Sequence, residues 1–158
     1  MPPMSQQMSL QLSLTTTYLG GHLVRLSTAK NPRGLIPVRC KATNCLFIPA
    51  YSGKTLVQLE CTEGDVKTLR DKFTWEGGQN AYGAYTSLLT QESSDGMSTP
   101  MGMDKWKMLS REDASTYGVK MTVPSSTLRF SQMEPSQFKP PESIRDSGVS
   151  TKLPRPGG

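Results

Sequence analysis

A few residue groups in this chain have types and spacings that could do chemistry. Cys45 and Cys61 are two thiols that could close and open as a redox-switched disulfide. Lys105-Trp106-Lys107, followed by Arg111, interleaves cations with an indole. A nucleic-acid base could stack on such a ring while the cations meet phosphates. Glu60, Glu63 and Asp65 are hard oxygen ligands of the kind a divalent cation takes, but beside a helix start they read as a solvated acidic turn. Glu112-Asp113 reads likewise as a surface turn or cap. Gly53-Lys54-Thr55 has the ending of a phosphate loop without its upstream glycine, and it precedes a strand instead of opening a helix.

None of these groups makes a catalytic constellation. The chain has one histidine, His22, which lies in the N-terminal segment expected to be removed, so the mature domain would have none for a Ser-His or Cys-His mechanism. Two cysteines cannot complete a four-ligand zinc site. The expectation is therefore no enzyme, no metal and no cofactor. Trp75, Tyr82, Tyr85 and Trp106 lie among glycines, and exposed Trp and Tyr are strong interface anchors. With Lys105 and Lys107 they form the candidate interface.

The elements that must position these residues are short. Thr55–Glu60 has strand character. A helix is expected from Thr62, with Val66, Leu69 and Phe73 on one face, ended by Trp75-Glu76-Gly77-Gly78. Residues 80–91 fit a helix or a strand. Residues 91–103 are loop-like, and 104–108 form a short amphipathic helix around Trp106. Tyr117–Val123 alternates as a half-buried strand stopped by Pro124. Residues 127–130 suggest one more strand, and no internal repeat is apparent. The expected fold is a small single α+β domain over 54–130, with a few short strands and one or two helices. An extended lead-in over 41–53 precedes it. A Pro/Ser/Gly-rich tail over 131–158 reads as disordered.

The N-terminal stretch is distinct. Its first 59 residues contain no Asp and no Glu. Residues 1–40 carry Arg25, Lys30, Arg33, Arg39 and eight hydroxyl residues. Met8–Leu14 alternates with Ser and Gln, so it lacks the apolar run of a secretory signal, and no run is long enough to span a membrane. The ending Ile36-Pro-Val-Arg-Cys-Lys-Ala42 resembles the processing site of plastid transit peptides, with cleavage at Cys40–Lys41. A mitochondrial presequence is the alternative. Four of the 18 basic residues precede Lys41, which leaves 14 against 13 acids beyond the cut. Such a near-neutral mature domain has no bulk electrostatic case for wrapping nucleic acid.

The functional expectation is a non-catalytic chloroplast protein on the stromal side. It would bind other proteins as a peripheral subunit or assembly factor of a photosynthetic thylakoid complex. Peripheral membrane association is compatible with this. The alternatives are an RNA- or ribosome-associated plastid protein and a thiol-switched stromal regulator.

Overall fold

Met8-Ser-Leu-Gln-Leu-Ser13 alternates apolar and polar residues with period two, the pattern of a strand with one buried face. In the computed structural model it is one: β1 spans Met8–Ser13. The structure describes residues 6–28, 34–51, 53–62 and 66–119.

Eleven further strands follow. They are β2 (Thr16–Leu19), β3 (Val24–Thr28), β4 (Val38–Thr43), β5 (Leu46–Pro49), β6 (Thr55–Cys61), β7 (Phe73–Gly78), β8 (Ala81–Gly83), β9 (Ser87–Glu92), β10 (Ser98–Met101), β11 (Glu112–Asp113) and β12 (Thr116–Val119). Two short helices interrupt them, α1 (Val66–Asp71) before β7 and α2 (Met103–Leu109) before β11. The strands form three sheets, ordered β1-β4-β7-β11, β2-β5-β8-β12 and β3-β6-β9-β10. Every pairing is parallel except the β9–β10 hairpin. The chain thus winds as a parallel β-helix: β1–β3 make the first coil, β4–β6 the second, β7–β9 the third, and β11–β12 open a fourth. This replaces the expected α+β domain with a β-rich solenoid.

The sheets turn a corner at the same place in each coil. Leu14, Asn44, Gln79 and Ala114 each adopt positive φ, 50, 54, 54 and 53°. Each is followed by one more residue before the second sheet begins. Asn80 ties two of these corners together. Its Oδ1 accepts from the Cys45 N–H at 2.9 Å, and its Nδ2 donates to the Ala42 carbonyl at 2.9 Å. Buried main chain at a corner needs such partners, because an unpaired buried amide costs about 1–3 kcal/mol. Gly77 is required for a different reason. Its φ is +141°, and a Cβ there would lie 1.7 Å from the Ala42 carbonyl oxygen. Gly77-Gly78, expected to end a helix, therefore lies inside a strand at a close backbone approach.

Side chains stack in register inside the coils. Leu10, Cys40 and Trp75 lie beside one another, as do Val24, Val57 and Leu89. Phe47 stacks on Tyr82 with ring centres 5.2 Å apart, and Tyr82 on Tyr117 at 5.2 Å. No coil could bury its apolar face alone; stacking neighbours supplies the core. On the outside, Arg25 pairs with Glu60 and Arg39 with Glu76 across neighbouring strands, each at 2.8 Å.

Several local expectations shift. The helix expected from Thr62 to Phe73 covers only Val66–Asp71, and Phe73 begins β7. Residues 80–91 are strands β8 and β9, and the 91–103 loop contains β10. Strand β12 accounts for the start of the 117–123 alternation; the strand proposed at 127–130 and the 131–158 tail lie outside the described residues. Among the described residues no helix is long and apolar enough to cross a membrane.

Candidate interaction surface

Hydrogen-bond direction makes the first coil unusual. The Met8 N–H donates to the Pro37 carbonyl at 2.9 Å, and the Leu14 N–H to the Thr43 carbonyl at 3.1 Å. In a parallel ladder successive residues point their amide and carbonyl to opposite sides. The even-numbered residues of β1 are thus committed to β4. Ser9, Gln11 and Ser13 turn theirs away from it, and their side chains are exposed. The same logic applies in β3, where the Leu23 N–H donates to the Leu56 carbonyl at 2.9 Å. Strands β1, β2 and β3 each stand at the end of their sheet. Their outer edges meet no other described strand. Half-buried Leu10, Leu12, Leu19 and Leu26 lie beneath this rim, packed on the core.

The rim is nearly uncharged. Between residues 6 and 28 the acids and strong bases are represented by Arg25 alone. Arg25 Nε and a terminal nitrogen grip both Glu60 oxygens at 3.0 and 2.8 Å. This bidentate bond holds the Glu60 carboxyl below the ordinary range. His22 Nδ1 is bonded to the Thr55 carbonyl at 2.9 Å.

The residues singled out from sequence are mostly interior. Trp75, Tyr82 and Trp106 have 0% exposure and Tyr85 has 7%. They are core, so the reading of them as exposed interface anchors is corrected. Trp75 and Trp106 pack with ring centres 5.5 Å apart. Burial of Trp106 also removes the face on which a base would stack. Lys105 is exposed on α2, Lys107 lies 5.0 Å over the Tyr117 ring, and Arg111 is exposed just ahead of β11.

The thiols are buried as well. Cys40, Cys45 and Cys61 are all buried inside the solenoid. Cys45 Sγ donates to the Thr43 carbonyl at 3.3 Å. Burial pushes the Cys45 thiol up and the Cys40 thiol to about 11. The thiolate is the reactive form, so these sites disfavour redox exchange. Burial likewise raises Tyr82 and Tyr85, and lifts Tyr117 to about 12. A raised acid pKa means the folded state keeps its proton after the unfolded chain has lost it. Stability is therefore expected to fall as pH rises from about 9 towards 11, by on the order of 2 kcal/mol from Cys40 alone. Thermal melts across that range check this, and a flat midpoint would count against it.

The cut expected at Cys40–Lys41 falls in the middle of β4, where Cys40 is buried in register with Trp75 and Lys41 is exposed in register with Glu76. Cleavage there would remove β1–β3 and split β4.

Sequence reasoning missed Glu112. It reads as a surface turn, yet its Oε1 accepts from Trp75 Nε1 at 2.9 Å, Asn80 Nδ2 at 2.6 Å and the Tyr82 hydroxyl, and its Oε2 accepts from the Tyr117 hydroxyl at 3.3 Å. Its acceptor capacity is committed to holding the third and fourth coils. A shallow groove of about 340 Å³ lies outside the same sheet, between Lys41 and Asp113 over the Gly77-Gly78 backbone. Thr43, Gln79 and Ala114 complete its lining. Among the described residues no group of three His, Cys, Asp or Glu could share a metal ion.

No protein-family model, curated protein or solved structure matches the chain.

Proposed function

We infer that this protein is a non-catalytic interaction subunit, a short β-solenoid that joins a larger protein assembly through the outer edge of its first strand. One observation carries the reading: β1 presents an outward edge at exposed Ser9, Gln11 and Ser13 over half-buried Leu10 and Leu12, and no described element covers it. Unpaired strand edges template pairing with another chain, and folded proteins usually blunt them with lysine, proline or a covering element. Residues 6–28 contain no lysine and no proline. Main-chain bonds along such an edge supply affinity, and the leucines beneath supply the apolar patch.

The committed acceptors of Glu112 and the buried thiols favour this reading over an enzyme or a thiol switch. A plastid assembly remains the proposed setting, on the strength of the acid-free N-terminal stretch. It carries a structural condition: the functional form keeps the first coil, so processing at Cys40 would abolish this contact.

The test is native size in extracts of cells that make the protein. The wild-type chain is expected to migrate well above its monomer mass of 17.3 kDa. Gln11→Pro is expected to return it to monomer size. That substitution removes only an amide directed away from β4, and proline is tolerated on edge strands. Migration of the wild type as a free monomer would contradict the proposal.

A further inference from the structure

The residues of β1 form a palindrome. Met8-Ser-Leu-Gln-Leu-Ser-Leu14 reads the same in both directions about Gln11, except that Met8 stands where a leucine would complete the symmetry. Antiparallel pairing about a two-fold axis sets each residue before the axis against the residue equally far beyond it in the other copy. A palindromic strand is therefore complementary to itself. We propose that β1 pairs antiparallel with β1 of a second copy of this chain, about an axis through Gln11. The inference rests on the reading of the β1 edge as an interaction surface and names its partner. The contact is confined to β1; Tyr18 on β2 and Thr28 on β3 have interactions of their own and take no part in it.

The main chain selects the same register. Met8 and Leu14 give their N–H groups to the second coil, so Ser9, Gln11 and Ser13 direct their amides and carbonyls away from β4. In an antiparallel pair, residues that exchange both bonds alternate with residues that exchange none. Centred on Gln11, the pairing sets Ser9 against Ser13 and Gln11 against its own copy. Every outward amide and carbonyl of the three then has a partner within the strand. The sheet β11-β7-β4-β1 of one copy continues through the axis into that of the other. Two-fold contacts of this self-complementary kind are the commonest in soluble oligomers.

The side chains fit that register. Half-buried Leu10 meets Leu12 in a pair without main-chain bonds, where side chains lie closer together. Met8 and Leu14, 59% and 63% exposed at either end of the strand, are set opposite one another. The two Gln11 side chains meet at the axis, where each amide can donate to the other's carbonyl. Residues 8–14 carry no charge, so nothing repels across the axis, and no lysine or proline blunts the edge.

Mass and register are tested separately on the purified full chain. Light scattering is expected to give twice 17.3 kDa for the wild type. Gln11→Cys reports the register, because a bonded antiparallel pair sets its Cα atoms about 5.5 Å apart, within the span of a disulfide. The three native cysteines are buried. Oxidised glutathione is therefore expected to join Gln11→Cys chains into a covalent dimer on a non-reducing gel. Ser13→Cys, with its two sites about 14 Å apart in this register, is expected to stay unjoined. A monomeric wild type overturns the proposal. So does a dimer in which Ser13→Cys is joined as readily as Gln11→Cys. A purified monomer that still forms a Gln11-dependent complex in extracts would remove the self-pairing and leave the interaction reading in place.

Discussion

Trp75→Ala is expected to destabilise the fold by about 3–5 kcal/mol, as truncation of a fully buried aromatic does. Against a typical total of about 5–15 kcal/mol, that is a large share of the protein's stability. Trp75 has 0% exposure and touches Phe47, Phe73 and Trp106 at ring-centre distances of 5.7, 6.5 and 5.5 Å. Its indole N–H also holds Glu112. Nothing in the adjoining β-ladders can collapse into the space, because each strand is fixed by neighbours on both sides. Trp106→Ala is expected to cost a similar amount, since it detaches α2 from the same aromatic cluster. A denaturant titration measures both. Loss of association with an unchanged unfolding midpoint would return these residues to the role of surface anchors.

The second large effect is at Glu112. Glu112→Ala strands the Trp75 indole, the Asn80 amide and the Tyr82 hydroxyl together, in a region where water does not reach Trp75, Asn80 or Tyr82. Each buried donor left without a partner costs about 1–3 kcal/mol, so a loss of about 3–5 kcal/mol is expected. Glu112→Gln keeps one carbonyl acceptor, and the Tyr117 hydroxyl can accept from its new amide, so the loss is expected to be clearly smaller. The order of the two midpoints is the useful result. Equal midpoints for Ala, Gln and wild type would mean that the carboxylate is solvated and the network contributes nothing.

Some of this fold was legible in the residues. The strand expected at Thr55–Glu60 is β6, and the helix expected at 104–108 is the middle of α2. The start of the 117–123 alternation is β12. Winding was not legible, because the repeat is spatial and not textual. Arg25 and Glu60 lie 35 residues apart, as do Cys45 and Asn80, but the residues stacked between coils share little identity. The corner positions show why. Leu14, Asn44, Gln79 and Ala114 do the same conformational work, and only asparagine is a residue that favours positive φ. The other three are exposed, and at Leu14 and Gln79 main-chain hydrogen bonds to the next coil fix the corner, which leaves no local trace in the side chain.

The first coil was not legible as structure for another reason. Its alternation from Met8 to Leu14 was plain, but the acid-free composition directed the reading to targeting and not to a strand. A strand at a solenoid end needs no acid to fold, since its partner β4 satisfies one edge and its leucines meet the core. The aromatics were read as an interface because Trp and Tyr among glycines are the residue types of interface anchors. Gly77 instead serves the close approach of β7 to β4. Glu112 failed because a carboxylate beside Asp113 has the sequence character of a solvent-facing turn, and three of its four donors lie 30 or more residues away in the preceding coil.

The account turns on whether residues 8–28 are the first coil of the folded protein. Amide hydrogen exchange on the full-length chain tests this directly. The prediction is an alternating pattern in β1, with Leu10, Leu12 and Leu14 protected as strongly as β4–β6 because they bond the second coil. Leu23 is expected to be protected with them. Exchange of residues 8–28 at unstructured-chain rates, with protection confined to 41–119, would contradict the account.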